Sequence, residues 1–521
     1  MKRLITITIL LLAATVFVTV KYFDNLKMSG NHSADVISSI PSSAAVVFEF
    51  NNDASFYDIY KNSPLFASLL GSDRMDELHM LRKGLLNNAS AQSLFNAQDI
   101  FLSLHPQGID SIEYLFTTAS SGAFSNEAIT QMKLKPTTLG SKKAYVFQPD
   151  SVNREFYIVE RQHNVWSGSF SKTLLQESID IKKSLPANFD LISDQQHSTS
   201  LGNLYVNYQQ CGLLLNNLYK SEDSDLWKGL FKLPANTSLS LNYKSDALLF
   251  NGFTTFKGNS PVSYMDIFRN MVPIELTLQN IFPVTTAYSN VYGISDLAAF
   301  KELLNSWQQK AHLVKDKKAL FNKIKTESGV QFDSEFNKLL DNEFALVTTR
   351  FQERIAIIKV KNGAALRPFC NNISAMLTED IGQFNFNQVP MYLLGDVLSG
   401  FRKPYFTIVD NYLVLGNSQR EVSNFRENYF GNLFLSKQSD FREFSNLLAQ
   451  RCNVSYFINF KNAGYAFKRA LKREYADAYN AEPGFKNYYA AAYQLSASDK
   501  QFYTNLCLKI NTPDSLNTNG N

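Results

Sequence analysis

The feature that most constrains this chain is that it reads twice. Five landmarks recur in the same order at nearly constant separation. Ile40-Pro41 ahead of Ala45-Val46-Val47 answers to Phe282-Pro283 ahead of Ala287-Tyr288, an offset of 242. Asp99-Ile100-Phe101-Leu102 answers to Glu343-Phe344-Ala345-Leu346 at 244, and Ser169 to Ser418 at 249. Tyr205-Val206-Asn207-Tyr208 with Gly212 answers to Phe457-Ile458-Asn459-Phe460 with Gly464 at 252, and Ser245-Asp246 to Ser498-Asp499 at 253. The offset only rises, as it would if small surface loops had been added to one copy. Self-similarity at long period fixes architecture before local detail does.

Local signals give each copy its class. Ala44–Phe50 is rich in β-branched and aromatic residues and reads as a strand. Asn62-Ser63-Pro64 reads as a helix start, with Ser63 as cap and Pro64 in the first turn. Leu65, Leu69, Met75, Leu78, Leu81 and Leu85 then recur at helical spacing. Residues 99–104 and 112–118 form a strand pair turning at Pro106-Gln107-Gly108. Strands follow at 144–149, 155–160 and 164–168, then a helix from Ser169. In the second copy, Tyr405–Val409 and Tyr412–Leu415 flank the two-residue turn Asp410-Asn411, and Ser418-Gln419-Arg420-Glu421 forms a capping box. Strands 204–208 and 454–460 each run into a helix. Each copy closes on two strands, 237–243 and 248–256 in the first, 489–496 and 501–510 in the second. Strands joined by hairpins rather than by regular crossovers indicate α+β.

The expected fold is therefore α+β with two tandem, pseudo-repeated lobes. Each lobe is a mostly antiparallel sheet with helices on one face, behind an N-terminal transmembrane anchor. The limits read as anchor 1–21, linker 22–39, first repeat 40–258, connector 259–282, second repeat 283–510 and disordered tail 511–521. The anchor rests on Lys2-Arg3, the uncharged run Leu4–Val20 and the closing Lys21. That run is at the short end of what spans a bilayer and lacks a following small-x-small site, so an uncleaved signal anchor is favoured over a cleaved signal peptide. The cations stay inside, which puts the bulk of the chain in a compartment outside the cytoplasm.

Composition excludes several classes. Apolar residues make up 45% and charged ones 19%, enough for sizeable cores and too ordered for a disordered chain. A net charge of +4 among 98 charged side chains gives no concentrated basic face, so no nucleic-acid partner is expected. The four cysteines, Cys211, Cys370, Cys452 and Cys507, are too few for a disulfide scaffold. Their counterparts in the other copy are Ala463, Asn126, Ser200 and Thr254. Buried free thiols are the preferred reading, with Cys452–Cys507 the one pair worth testing.

Motifs of catalysis are sparse. Ser169-Phe170-Ser171-Lys172 fits S-x-x-K, but its companions S-D-N and K-T-G are absent, and Ser169 aligns with the cap Ser418 while Lys172 aligns with Glu421. The six histidines (His32, His79, His105, His163, His197 and His312) stand singly, without H-E-x-x-H or C-x-x-C. No phosphate-binding glycine loop occurs, and no carboxylate pair stands out. Asn207 and Asn459, with Gly212 and Gly464 five residues on, read as structural turns into helices rather than paired ligand sites. Lys310, Lys315, Lys317, Lys318, Lys323 and Lys325 could meet an anionic surface. Leu313, Leu320, Phe321 and Ile324 at helical spacing make them the solvated face of a helix instead. The sequon Asn453-Val454-Ser455 falls in a strand, where a glycan has no room. No catalytic, cofactor or metal-binding residues are assigned.

The opening Ala45-Val46-Val47-Phe48 behind a proline, Leu248-Leu249-Phe250-Asn251-Gly252-Phe253, and the Thr407–Ser418 segment resemble a family of exported Bacteroidota proteins that carries no assigned activity. The resemblance implies an envelope location and a duplicated unit, and transfers no catalytic residues. The leading functional expectation is a non-enzymatic, membrane-anchored binding or scaffold protein acting on an envelope protein or envelope material. The alternatives are a carrier or sensor of a lipid held between the lobes and an envelope hydrolase assembled from distant residues.

Overall fold

The computed structural model describes residues 35–511, apart from 63–64, 66–71, 87, 109–110, 150–153, 162–163, 182–199, 221–232, 257–262 and 482–483. The expected anchor, most of the linker, the Ser63 cap and the tail from 512 lie outside the described residues. Among the described residues no helix is long and apolar enough to cross a membrane. The fold is α+β with extensive antiparallel sheet. It divides into two compact units, one ending at Tyr205 and the other starting at Val206 and including Ser63–Ser72. That boundary precedes the seam expected at 259–282, because the last hairpin of the first repeat belongs by its contacts to the second unit.

Unit 1 contains β1 (Val46–Asn51), β2 (Asp99–Gln107), β3 (Ser111–Ala119), β4 (Lys135–Leu139), β5 (Lys142–Phe147), β6 (Phe156–Glu160) and β7 (Val165–Ser169), and the unit boundary falls within β8 (Asn203–Asn207). The pairings give the order β8-β1-β2-β3-β7-β6-β5-β4. The β2–β3 hairpin turns where expected, with Gly108 at φ 59°. Both faces of the sheet are covered. Ile158 packs with Tyr114 and Trp166 on one side, while its neighbours Tyr157 and Val159 pack with Leu174 and Leu175 on the other. Val36 is buried with Ile40 and Tyr205, so the fold starts before residue 40 and the linker is shorter than 22–39. The helix expected from Ser169 is α1 (Lys172–Asp180), capped by Ser171. Ser169 is instead a buried strand residue that donates to Tyr114 O at 2.8 Å and accepts from Ser171 N.

Unit 2 opens with α2 (Tyr208–Leu218), then β9 (Ala235–Tyr243) and β10 (Ala247–Phe256). The stretch expected as a connector is core: Tyr264, Met265, Ile267 and Phe268 are buried in a single 3₁₀ segment. Gly395, at φ 106°, lets the Tyr264 ring pass where a Cβ would stand 2.0 Å from it. The short β11 (Ile274–Glu275) is followed by β12 (Thr286–Gly293), α3 (Leu297–Lys310), α4 (Val314–Ser328), β13 (Leu340–Thr349), β14 (Arg354–Val360), β15 (Ser374–Met376), β16 (Ile381–Phe384), β17 (Tyr405–Val409) and β18 (Tyr412–Gly416). Then come α5 (Gln419–Phe430), β19 (Arg451–Cys452), β20 (Val454–Asn459), α6 (Phe460–Ala470), β21 (Tyr488–Ser498) and β22 (Gln501–Ile510).

The main sheet of unit 2 runs β9-β10-β22-β21-β20-β12-β13-β14-β18-β17-β16-β15, antiparallel throughout. Helices cover both of its faces, which corrects the single helical face expected. The cause is legible in β14, where Ile355 and Ile357 face Phe425 and Phe444 while Ala356 and Ile358 face Phe300, Phe336 and Leu366. A continuous apolar run of this kind needs cover on both sides. Ser418 and Glu421 form the expected capping box. Phe321 and Ile324 of α4 are buried and Lys315, Lys318, Lys323 and Lys325 are exposed, whereas Lys317 is half-buried and donates to Asn305 and to buried Gln308.

Candidate functional site

Unit 1 carries an open cleft of about 850 Å³. Its walls are the Pro41–Ser43 entry to β1, the β4–β5 turn at Thr138–Gly140, and α1. Gly140 takes φ 57° in that turn. The helix is amphipathic in the sense the cleft needs. Leu174, Leu175 and Ser178 point to the core, and Lys172, Thr173, Gln176, Glu177 and Asp180 line the cleft. These five positions share a face at helical spacing. Gln176 Nε2 donates to both oxygens of Asp180 at 3.1 Å, and Gln107 Nε2 to Glu177 at 3.4 Å. Lys172 lies 4.6 Å from the centre of the Tyr157 ring, and hydrogen bonding to Tyr157 raises its pKa.

One edge of the cleft holds a Ser–His pair. Ser43 Oγ lies 2.9 Å from Nδ1 of His105, and Nε2 of the same ring lies 2.8 Å from Ser103 Oγ. The Ser103 hydroxyl donates its proton to Leu115 O at 3.2 Å. It must therefore accept from His105 Nε2–H, which leaves Nδ1 as a bare lone pair and makes Ser43 the donor to it. Glu177 Oε2, at 3.5 Å from Ser43 Oγ, is the weaker acceptor for that proton. His105 is fully buried in β2, and burial pushes its pKa from 6.5 to about 3. The geometry orients the imidazole for proton abstraction. Its environment makes it a poor proton acceptor, because no carboxylate stands behind the ring to stabilise the imidazolium.

The residues singled out from the sequence lie elsewhere. Asn207 and Asn459 are helix N-caps with nearly identical backbone angles, φ −100°, ψ 106° and φ −98°, ψ 108°, accepting from Gln210 N and Asn462 N. Gly212 and Gly464 lie in the helices so capped. Lys172 reaches the cleft although Ser169 does not. Among the described residues no group of His, Cys, Asp or Glu could hold a metal ion. The four cysteines are free and buried, and burial raises all four thiols, Cys211 and Cys452 to about 12. Asn453 is buried, donates to Val272 O and accepts from Ala497 N, so the sequon cannot carry a glycan. The Ser43–His105 pair had no local signature, since 62 residues separate its members.

The chain matches no protein-family model, no curated protein and no solved structure.

Proposed function

We propose that the chain is a membrane-anchored, periplasm-facing binding protein whose unit 1 cleft receives a polar polypeptide segment of an envelope partner. The observation that carries this reading is the α1 face. It aligns five polar side chains, including Glu177 and Asp180, along one wall of an open cleft. Two carboxylates against one ammonium favour a segment bearing a basic side chain, and among the described residues the cleft lining contains no aromatic ring on which a sugar would stack. Duplication is part of the proposal. Its support is that β8-β1-β2-β3-β7-β6-β5-β4 and β20-β12-β13-β14-β18-β17-β16-β15 follow the same path step for step. The β10–β22 ladder also maps onto itself under the 253-residue offset, since Asn251 faces Asn505 and Gly252 faces Thr504. The anchor and envelope location rest on Lys2 to Lys21, and the Bacteroidota resemblance agrees with them.

The test is a photo-crosslinking amino acid placed at Thr173 in the full chain, in its native membrane. One reproducible protein adduct, absent when the crosslinker sits at exposed Lys323, supports the reading. Equal labelling at both positions, or none at Thr173, overturns it.

A second reading has its own observation. Ser43 with His105 has the geometry of a serine–base pair, although burial weakens the base, so an envelope hydrolase acting on esters is the competing function. A fluorophosphonate probe that labels the wild-type chain and not Ser43→Ala would establish it.

A further inference from the structure

Large apolar side chains on a folded surface are ordinary when scattered and informative when gathered. Among the described residues the five most exposed are Val272, Phe430, Phe351, Tyr465 and Leu433, between 54% and 68% exposed. Four of these five converge on one short segment of unit 2, Val284-Thr285. Val284 N donates to Leu433 O, and Thr285 O accepts from Arg350 N, next to Phe351. Val284 O accepts from Asn462 Nδ2, one helical turn before Tyr465. Arg469, on the same side of α6, donates to Gln352 at 3.0 Å and ties that helix to the turn bearing Phe351. Phe430 lies three residues before Leu433.

The shape and charge of this surface identify its occupant. Phe351 sits in the β13–β14 turn, Leu433 in the loop after α5, and Tyr465 on the outer side of α6. Three convex elements therefore present apolar tips, which suits insertion into a deformable apolar phase rather than reception of a ligand. The Arg350 guanidinium lies 4.9 Å from the Phe351 ring centre and that of Arg426 5.2 Å from Phe430. Lys461, Lys468 and Arg469 are exposed on α6. Three carboxylates oppose them. Asp380 pairs with Arg426 at 2.6 Å. Glu353 is held by Thr349 and Asn424, and Glu427 is exposed. Aromatic rings with cations beside them are the composition of a bilayer interface, where the ring enters the headgroup layer and the cation meets lipid phosphate. A bilayer is already part of the anchor reading. Residues 22–34 join the apolar run Leu4–Val20 to the described fold, and thirteen residues span at most about 45 Å.

We propose that the face formed by Phe351, Phe430, Leu433 and Tyr465 docks on an anionic bilayer surface, adding a second, peripheral membrane contact to the N-terminal anchor. The proposal rests on the anchor reading given above. It is tested in the full chain, reconstituted in vesicles of mixed zwitterionic and anionic phospholipid. Single nitroxide labels are attached to Phe351→Cys, Tyr465→Cys and, as a control, Lys323→Cys. The buried native thiols stay unlabelled in the folded protein. The docked face places the labels at 351 and 465 in contact with membrane-dissolved oxygen and shields them from a water-soluble nickel chelate, while the label at 323 behaves oppositely. Added salt weakens the effect at 351 and 465, since exposed charges are screened. Labels at 351 and 465 as accessible to nickel as the one at 323, in protein that floats with the vesicles, overturn the docking and leave the anchor standing. Protein that fails to float overturns both. Labels shielded from oxygen and nickel alike mark a protein–protein contact, which also refutes the lipid assignment.

Discussion

His105 offers the sharpest quantitative test, because its predicted behaviour follows from hydrogen-bond bookkeeping and burial together. With Ser103 committed to Leu115 O, the ring carries its proton on Nε2 and is neutral. Burial holds its pKa at about 3 rather than 6.5. The unfolded chain, by contrast, binds a proton there as the pH falls through 6.5. The stabilising effect of the neutral ring is therefore complete above pH 6.5 and is lost progressively as the pH drops toward 3. At pH 5, about 1.5 pH units below the ordinary imidazole value, the loss is about 2 kcal/mol, and over the whole window it is about 5 kcal/mol. Histidine-selective nitrogen NMR should find one ring in the Nε2–H tautomer that does not titrate between pH 8 and 5. Urea unfolding, read by hydrogen exchange in the β2–β3 peptides, should lose about 2 kcal/mol more between pH 7.5 and 5 in wild type than in His105→Gln. A ring that titrates near 6.5, an Nδ1–H tautomer, or an equal pH response in the variant would refute the reasoning. The second would also remove the basis for treating Ser43 as a donor to a free lone pair.

Two further outcomes follow from backbone geometry. Asn207→Ala and Asn459→Ala should each cost about 1 kcal/mol in denaturant unfolding, with Asn→Asp retaining most of it, because each side chain caps its helix in the same way. Gly252→Ala would set a Cβ 1.9 Å from the backbone oxygen of Ser238, so β9 and β10 must separate locally. A loss of about 1–3 kcal/mol of unfolding free energy, read as a lowered urea midpoint, is expected, and an unchanged midpoint would show that the strands do not approach this closely.

Much of the strand inventory was legible because hairpins and caps are local. The β17–β18 hairpin, the capping box at Ser418 and the β2–β3 turn are each written within a dozen residues. Two features were not legible for the same physical reason. The 259–282 stretch carries Tyr264, Met265, Ile267 and Phe268, whose apolar content signals burial but whose period matches neither a strand nor a full helix. Helices on both sheet faces were signalled by Arg354–Val360, where apolar residues occupy both parities, a stretch given no element in the sequence reading. The cleft depends on register. β1 and β2 are paired across 47 intervening residues with no tight turn to fix their alignment. That alignment alone brings Ser43 beside His105.

Under the proposed duplication, the two copies invert the weight that shared residues first carry. Asn207 and Asn459 recur in both copies, and both are caps. Packing is what duplicated units have in common, so recurrence points to structure. The cleft pair does not recur. At the same offsets Ser43 corresponds to Thr285, His105 to Thr349 and Ser103 to Val347. There Thr349 Oγ1 donates to Glu353 at 2.8 Å and Thr285 O accepts from Arg350 N, so that sheet end closes without any imidazole. A buried histidine, with the desolvation penalty that its lowered pKa records, is thus dispensable for closing this sheet end. Its presence in unit 1 alone, one hydrogen bond from the rim of the open cleft, makes the unshared positions the ones to mutate first.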